Sequence, residues 1–237
     1  QVATFSGAFL DGRLREALAH CQRLIVTTPP LAELYGPLVE SVHIVPNRLE
    51  KALWQGITPP APPAIKRRPR VGWAGAQQHH ADLAILAPVI EALAEEVDWI
   101  FFGMMPVGCE RYVREFYPGV PFREYPAKLA RLDLDIALAP LEINLFNEAK
   151  SNLRLLDYGA LGWPVIATDI LPYRENTPPI IRVSNTPLAW TAAILDFIEA
   201  PEAARRLGRR LQQWVQKNYL LEEHIHEWTI ALDPHHG

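Results

Sequence analysis

A polar segment stands directly before a Leu-rich stretch in the second half of the chain. The sequence FNEAKSNLRLLDYGALGWPVIATD, residues 146–169, places Lys150, Ser151 and Asn152 where a predicted helix begins, and Arg154 follows within one turn. Ser151 or Asn152 can cap this helix by accepting hydrogen bonds from its first N–H groups. A helix N-terminus is partially positive, and Lys and Arg add full charges, so the segment predicts an anion site suited to a diphosphate. A capped helix whose Lys150 side chain reaches into solvent explains the same residues without a ligand.

A second candidate loop follows a predicted strand over 70–76. Gly75 lets the backbone approach a ligand closely, and His79 and His80 come just before the next predicted helix, where Asp82 is expected to be the N-cap residue. The two histidines can also face solvent or cap the helix. The order His-His-Ala-Asp lacks the i, i+4 spacing of zinc-binding helices, so the sequence predicts no metal here.

Other features of the sequence disfavour several classes of protein. Neither G-x-G-x-x-G nor G-x-x-x-x-G-K-[ST] occurs, which disfavours NAD, FAD and P-loop nucleotide sites. The formal net charge of −4 argues against a nucleic-acid-binding surface. Cys21 and Cys109 are predicted to be reduced thiols, because two cysteines make neither a disulfide framework nor a metal cluster. No apolar run approaches the roughly 18 residues that a membrane span needs.

The order of predicted elements indicates an α/β protein. Short apolar strands that alternate with helices form a parallel sheet with helices on both faces, and right-handed crossovers make this a doubly wound, Rossmann-like domain. Strands are predicted over 70–76, 98–104, 135–141, 164–169 and 180–184, and helices over 81–97, 123–132, 151–161, 187–200 and 201–219.

Two further regions precede this domain. Residues 1–56 contain a predicted helix over 7–21 and two strand-like runs, RLIVTT and SVHIVPN, on either side of another helix. Residues 57–69 are rich in Pro and basic residues and predict an extended linker with a solvated charge cluster. The predicted domains are therefore 1–56, a linker over 57–69, and 70–232. Because the sequence starts at Gln1, we expect a piece of a longer protein, with 1–56 as the end of an N-terminal domain.

Three stretches carry a likeness to a known family. They are SVHIVPNRLEKALW, VGWAGAQQHHADL and DIALAPLEINLFNEAKSNLRLLDYGALGWPVIATD. In this order they resemble the C-terminal, donor-binding half of nucleotide-sugar glycosyltransferases with the GT-B architecture, in the retaining group 1 family. The likeness covers about residues 24–232, and the third stretch is its most distinctive part.

The resemblance implies a reaction and the residues that serve it. A sugar would pass from a nucleoside diphosphate to an acceptor hydroxyl, with retention at the anomeric carbon and with no metal or other cofactor. Lys150 and Arg154 would be the catalytic residues, because they would hold the phosphates and stabilise the charge of the departing diphosphate. Asp157 would hydrogen-bond the ribose.

The resemblance also assigns the surroundings of the donor. The first acid of the family's paired acidic motif falls on Ala149, so Glu148 or Glu142 would have to replace it. The predicted donor-binding residues are Gly75, His79, Gly103, Tyr125, Phe146, Asn147, Glu148, Ser151, Asn152, Leu153 and Asp157.

The same resemblance leaves the other partners open. The acceptor would be a sugar, a lipid-linked glycan or a protein, and bacterial polysaccharide biosynthesis is the setting that the family suggests. We expect a cytoplasmic location, at the inner face of the membrane if the full-length protein associates peripherally. The acceptor pocket and a catalytic His or Asp would come from a missing N-terminal half. Two alternatives remain, namely a sugar-nucleotide epimerase of the same architecture and a non-catalytic binding or interaction module.

Overall fold

The computed structural model describes residues 12–60, 67–76 and 79–233, and its centre is a sheet of six parallel strands. This sheet has the strand order β5-β4-β3-β6-β7-β8, and β1 and β2 form a separate two-stranded parallel sheet. The predicted Rossmann-like α/β class is confirmed. The strands are β1 Arg23–Val26, β2 Ser41–Ile44, β3 Arg70–Ala74, β4 Asp98–Phe102, β5 Val113–Tyr117, β6 Ile136–Ala139, β7 Val165–Thr168 and β8 Ile181–Val183.

Helices connect these strands and cover both faces of the large sheet. They are α1 Arg13–Ala19, α2 Pro29–Tyr35, α3 Lys51–Trp54, α4 His80–Ala84, α5 Ala87–Ala92, α6 Tyr125–Ala130, α7 Leu145–Glu148, α8 Leu153–Ala160, α9 Leu171–Arg174, α10 Pro187–Glu199, α11 Pro201–Asn218 and α12 Ile225–Leu232. Short 3-10 turns occur at Gly36–Leu38, Glu110–Tyr112, Phe122–Glu124 and Glu222–His224.

The central strands β6 and β7 are buried along their whole length. Every residue of β6 and β7 is buried, as parallel strands covered by helices on both faces require. Successive side chains of β4 belong to different hydrophobic clusters, Ile100 to the one that contains Tyr158 and Phe101 to the one that contains Trp73. This follows from the two-residue period of a strand, which directs alternate side chains to opposite faces.

Two predictions about the elements are wrong. The single helix expected over 81–97 is divided into α4 and α5, and Pro88 lies in the first turn of α5, where its missing N–H costs no hydrogen bond. The strand β5 was not predicted, because it is an edge strand with only partly buried and exposed residues.

Two other predictions fall partly outside the described residues. The helix expected over 7–21 is seen as α1 from Arg13, and residues 7–11 lie outside the described part of the chain. Within the predicted linker over 57–69, residues 61–66 also lie outside it. The proposed domain bounds therefore stay a prediction.

Residues 12–60 pack against the domain of the large sheet. The Thr28 hydroxyl donates a hydrogen bond to the Ala149 carbonyl at 2.8 Å, and the Asn47 side-chain amide donates to Ser151 Oγ at 2.8 Å. A parallel bridge also joins Leu49 to Leu220. These contacts bring the segment after β2 beside the N-terminus of α8.

Candidate functional site

A cavity of about 840 Å³ opens at the carboxyl ends of the strands, where β3 and β6 lie side by side. The strand order reverses between these two strands, and such a switch point is the usual ligand site of open α/β sheets. One wall comes from the segment 47–54, which precedes the large sheet in sequence. The cavity is lined by Asn47, Arg48, Leu49, Glu50, Leu53, Trp54, Ala74, Gly75, Ala76, His79, Phe102, Gly103, Gly119, Val120, Phe122, Tyr125, Leu141, Lys150, Ser151, Leu153, Arg154, Asp157, Tyr173 and Leu221.

The N-terminus of α8 lies at this cavity without a side-chain cap. Asn152 is the N-cap residue, but its amide donates to the Tyr219 hydroxyl at 3.1 Å instead of accepting from the helix. Ser151 Oγ accepts from Asn47. The expectation that Ser151 or Asn152 caps this helix through its side chain is therefore wrong. Ser151 and Leu153 line the cavity, so the first N–H groups of α8, with their partial positive charge, lie at its wall.

Arg154 is held rigidly in the cavity wall. Its guanidinium donates to the Ala74 carbonyl at the end of β3 and lies over the Trp73 ring, 4.6 Å from its centroid. Gly75 makes this approach possible, since a Cβ there would lie 2.6 Å from Trp73 and 2.8 Å from Arg154 Nη1. A fixed guanidinium needs little reorganisation to bind an anion, so Arg154 offers a preorganised positive charge.

Asp82 is the centre of a buried polar network beside the cavity. Its side chain is 4% exposed and accepts hydrogen bonds from the Glu142 N–H at 2.8 Å and from the Asn147 amide at 2.8 Å. His79 Nδ1 lies 2.7 Å from Oδ2, and Lys150 Nζ lies 3.4 Å from the same oxygen. The N-cap residue of α4 is His79, so the prediction of Asp82 as an N-cap is wrong.

The charges of this network alter the pKa values of its members. Burial alone would raise the pKa of Asp82, but hydrogen bonds from His79 and the Glu142 N–H, together with Lys150, bring this pKa below its usual value. Burial lowers the pKa of Lys150, and Asp82 opposes this effect. The hydrogen bond to Asp82 would raise the pKa of His79, but burial and the charges of Arg154 and Lys150 outweigh it and lower this pKa.

Asp157 lies one turn beyond Arg154 on α8, on the other side of the cavity from this network. Its carboxylate accepts a hydrogen bond from the Tyr125 hydroxyl at 3.1 Å, and the Tyr125 ring stacks on Phe102 with 5.6 Å between ring centroids. Burial raises the pKa of Asp157 to about 7, although Arg154 and the Tyr125 hydrogen bond oppose the increase. The cavity thus combines a cationic side, an acid that titrates near neutral pH and an aromatic wall.

The structure brings most of the predicted site residues together. Phe146 is 53% exposed, with Lys150 Nζ 5.1 Å from its ring centroid. Asn147 is buried behind the cavity, where it supports Asp82. Glu148 and Asn152 are not among the residues that line the cavity. Those that line it are Gly75, His79, Gly103, Tyr125, Lys150, Ser151, Leu153, Arg154 and Asp157.

The structure shows no replacement for the acid expected at Ala149. Glu142 and Glu148 are absent from the cavity lining, whose carboxylates within the described residues are Glu50 and Asp157. The Glu142 carboxylate instead accepts from the Asn144 amide at 3.1 Å.

Sequence reasoning missed two parts of the site. Asp82 was misassigned, although its position three residues after His79 is a spacing that lets the two side chains pair on one helical turn. The position of 47–54 at the cavity was not predicted, although this segment belongs to a stretch that carries the family resemblance, because it reaches the cavity only through long-range packing.

Across residues 12–60, 67–76 and 79–233, no three His, Cys, Asp or Glu side chains are grouped so that they could hold a metal ion. Within the same part of the chain, no helix is both long enough and apolar enough to cross a bilayer.

Known structures share this fold. The chain is similar to sucrose-phosphate synthase from Thermosynechococcus elongatus, with a TM-score of 0.66 at 16% identity over 93% of this chain and 61% of that one. It is similar to a mutant of TarM from S. aureus in complex with fondaparinux, α-GlcNAc-glycerol and UDP, with a TM-score of 0.64 at 16% identity over 92% and 45%. It is also similar to HepE from Anabaena in complex with UDP and glucose, with a TM-score of 0.64 at 14% identity over 90% and 64%. No protein-family model and no curated protein matches the sequence.

These likenesses establish the class of fold. The chain has the Rossmann-like fold of GT-B glycosyltransferases, as the resemblance implied. It spans 45% to 64% of the length of the three structures.

Proposed function

We propose that this chain binds a nucleoside-diphosphate sugar and supplies the donor-binding half of a glycosyltransferase. The observation that carries the proposal is the position of Lys150 just before an uncapped helix and of Arg154 in its first turn, both in the cavity wall. Two cations and a helix N-terminus in one cavity suit a diphosphate. HepE and TarM, which have the same fold, were solved with UDP, which supports this choice of ligand.

The chemistry follows from where charge develops. The bond between the anomeric carbon and the diphosphate oxygen breaks, and the diphosphate leaves with the electron pair. The acceptor hydroxyl oxygen forms the new bond and passes its proton to the departing diphosphate. Lys150 and Arg154 stabilise the negative charge that grows on the diphosphate, so their contribution is largest in the transition state. Membership of the retaining group 1 family, with no metal or other cofactor, is part of the proposal and rests on the sequence resemblance.

The remaining contacts of the donor are proposed from the geometry of the cavity. Asp157 would hold the ribose hydroxyls, because it lines the cavity one turn from Arg154. The aromatic wall of Phe102 and Tyr125 would lie near the base. The loss of an acid at Ala149 weakens the expected contacts to the sugar.

The activity of the whole protein is proposed at a coarser level. Since the chain spans about half the length of the similar structures, we expect it to bind nucleotide sugars weakly and to transfer little sugar by itself. The acceptor pocket would come from an N-terminal half. A cytoplasmic role in polysaccharide biosynthesis, with peripheral membrane association of the full-length protein, rests on the resemblance.

Thermal unfolding with and without nucleotides tests the proposal. UDP, GDP, ADP and their glucose conjugates are added separately, and one series is expected to raise the unfolding temperature, because a ligand that binds only the folded state stabilises it. Lys150→Ala is expected to weaken this binding about tenfold, as the loss of one charged hydrogen bond does. Lys217→Ala, on the exposed surface of α11, serves as the control. Absence of stabilisation by every nucleotide would contradict the proposal.

One observation favours a second function. The cavity lacks a carboxylate at the Ala149 position, which is compatible with a module that binds a nucleotide sugar without transferring it. The same nucleotide would then stabilise the chain, but the chain joined to its N-terminal half would release no nucleoside diphosphate in the presence of acceptors. The epimerase alternative has no observation that favours it.

A further inference from the structure

The contacts of His79 fix the position of its proton. Nδ1 lies 2.7 Å from Asp82 Oδ2, and Nε2 lies 3.3 Å from an Nη atom of Arg154. A guanidinium can only donate hydrogen bonds, so Nε2 accepts. Nδ1 therefore carries the proton and donates it to Asp82, and His79 is neutral with a lone pair toward Arg154.

Side chains from α4, α8, β3 and the segment just before α8 face this imidazole. Asp82 of α4 stabilises a protonated ring, whereas Arg154 of α8 and Lys150, just before α8, oppose it. The Trp73 ring of β3 contacts it edge-on at 5.7 Å between centroids. Asp157 lies farther along α8, beyond Arg154. Burial of the ring and the two cations together outweigh the hydrogen bond to Asp82, so the pKa of His79 lies below its usual value.

We propose that a diphosphate oxygen enters between His79 Nε2 and Arg154, and that His79 takes up a proton from solvent as the ligand binds. The proton adds to the Nε2 lone pair, no covalent bond breaks, and the new N–H donates to the phosphate oxygen. The inference rests on the proposed function, because it concerns how the same cavity holds its diphosphate.

The geometry requires diphosphate binding and protonation of His79 to occur together. If His79 were protonated with no anion beside it, an N–H of the ring would face an N–H of Arg154 across 3.3 Å, and two donors cannot bond each other. A phosphate oxygen placed between them accepts from both and supplies the negative charge that the added proton needs. Arg154 can yield its contact with His79, since the Ala74 carbonyl and the Trp73 ring still hold it.

Asp82 acts here as a positioning residue. It orients the imidazole through Nδ1, which leaves Nε2 directed at the cavity, and it also pairs with Lys150 at 3.4 Å. A single buried carboxylate thus aligns two of the groups proposed to hold the diphosphate.

The sign of the pH dependence follows from proton uptake. Binding that takes up a proton is stronger at lower pH, within the interval between the pKa of His79 in the free protein and its higher pKa in the complex. Nucleotide sugars are suitable probes because their diphosphate is esterified at both ends and does not titrate near neutral pH.

Isothermal titration calorimetry measures this uptake directly. UDP-glucose, GDP-glucose and ADP-glucose are titrated at pH 7 in two buffers with different ionisation enthalpies, such as PIPES and Tris. For the ligand that binds, we expect the binding enthalpies to differ by the amount that corresponds to uptake of about half to one proton. His79→Gln is expected to reduce this uptake strongly and to weaken binding about tenfold.

Three variants separate His79 from its neighbours. His80→Gln, at the adjacent exposed histidine, is expected to keep the uptake and the affinity. Asp157→Asn is expected to keep the uptake by His79, although Asp157 also titrates near neutral pH. Asp82→Asn is expected to weaken binding while lowering the uptake. The NMR signal of His79 is assigned as the histidine signal that is missing from the spectrum of His79→Gln. Its titration midpoint should move to higher pH when ligand is added.

The outcomes distinguish this inference from the proposed function. If none of the three nucleotide sugars binds, both are overturned. If one binds with equal enthalpies in both buffers, or if His79→Gln keeps the full uptake, the inference is overturned and the donor-site proposal stands.

Discussion

Single residues of the cavity are held in states that their types would not adopt in water. Asp157 is an acid with a pKa raised to about 7 by burial, close to the fixed charge of Arg154. Gly103 has φ of 89° and lies against the backbone of Gly75, which also allows Arg154 to approach Trp73. Both features come from the crowding of β3, β4 and α8 at the carboxyl ends of the strands. Substitutions of Asp157 and Gly103 should therefore change stability in ways that can be measured without a ligand.

The first prediction concerns Asp157 and pH. A carboxyl whose pKa is raised by folding keeps its proton where the unfolded chain has lost it, so its stability is fully present below about pH 4 and declines as pH rises to about 7. Asp157→Asn removes this dependence. We expect the difference in the free energy of unfolding, variant minus wild type, to increase by about 3 kcal/mol between pH 4 and pH 8.

Urea unfolding at several pH values measures the difference. Asp169→Asn is the control, because the Arg174 hydrogen bond lowers the pKa of the largely exposed Asp169. For Asp169→Asn, the same difference in unfolding free energy should decrease slightly as pH rises. A difference for Asp157→Asn that does not vary with pH would contradict the prediction.

The second prediction concerns Gly103. A Cβ at this position would lie 2.0 Å from the Gly75 carbonyl oxygen, in addition to the strain of a positive φ. Gly108 has φ of 81° but meets no atom within 4 Å, so Gly108→Ala reports backbone strain alone, about 1 kcal/mol. We expect Gly103→Ala to cost at least about 2 kcal/mol more in the free energy of unfolding. Equal losses for the two variants would show that β3 and β4 can separate easily at this point.

At the scale of elements, the edge strand β5 is fastened across its neighbour. Arg70 on β3 forms two hydrogen bonds with Glu115 on β5, at 2.7 and 2.8 Å, and thus spans β4. The Tyr117 hydroxyl donates to the same carboxylate at 2.6 Å. These bonds, led by the one from Arg70, lower the pKa of Glu115 to about 2. A bidentate pair of this kind can position the edge of the sheet whose loops line the aromatic side of the cavity.

The third prediction concerns this pair. A carboxyl with a lowered pKa contributes stability above its unfolded pKa and loses that contribution as pH falls toward about 2. Because Glu115 is about one-third exposed, we expect Glu115→Gln to cost only about 1 kcal/mol at pH 7, and less as pH falls below about 4.5. Chemical denaturation at pH 7 and at pH 3.5 compares the two conditions. Glu95→Gln, in an exposed pair with Arg68, should have no measurable effect, and an equal loss from both variants would contradict the prediction.

At the scale of the whole molecule, residues 219–233 return to contact the part of the chain between residues 12 and 60. Leu49 exchanges backbone hydrogen bonds with Tyr219 and Leu221, and the Lys51 N–H donates to the Glu222 carboxylate at 2.9 Å. The Arg48 guanidinium pairs with Glu227 in α12. Residues 219–233 therefore join the segment after β2 to the domain of the large sheet, and this junction forms one wall of the cavity.

The fourth prediction concerns this junction. The Arg48 side chain is 7% exposed, and its removal would leave Glu227, itself one-quarter exposed, without this partner. We expect Arg48→Ala to lower the free energy of unfolding by about 3 kcal/mol and to speed proteolytic cleavage within residues 12–60. Arg205→Ala, in an exposed pair with Glu202 on α11, is the control and should change stability by less than about 0.5 kcal/mol. Unchanged cleavage within 12–60 would show that this pair does not hold the two parts together.

The sequence by itself determined the features that depend on neighbours along the chain. Alternating strands and helices specified the parallel α/β class, because periodicity follows from the local backbone. The spacing of Arg154 and Asp157 in one predicted helix placed them on the same helical face, since residues three apart lie together, and Lys150 was predicted to precede that helix.

Only the tertiary structure decided the rest. Asp82 meets Lys150 across 68 positions of sequence, and the wall from 47–54 reaches α8 through packing of residues 12–60. The strand β5 is held by the hydrogen bonds between Glu115 and Arg70 and by pairing with β4. Neither contact can be inferred from the residues of β5 alone. Contacts between distant segments depend on the summed packing of the whole chain, so no local pattern contains them.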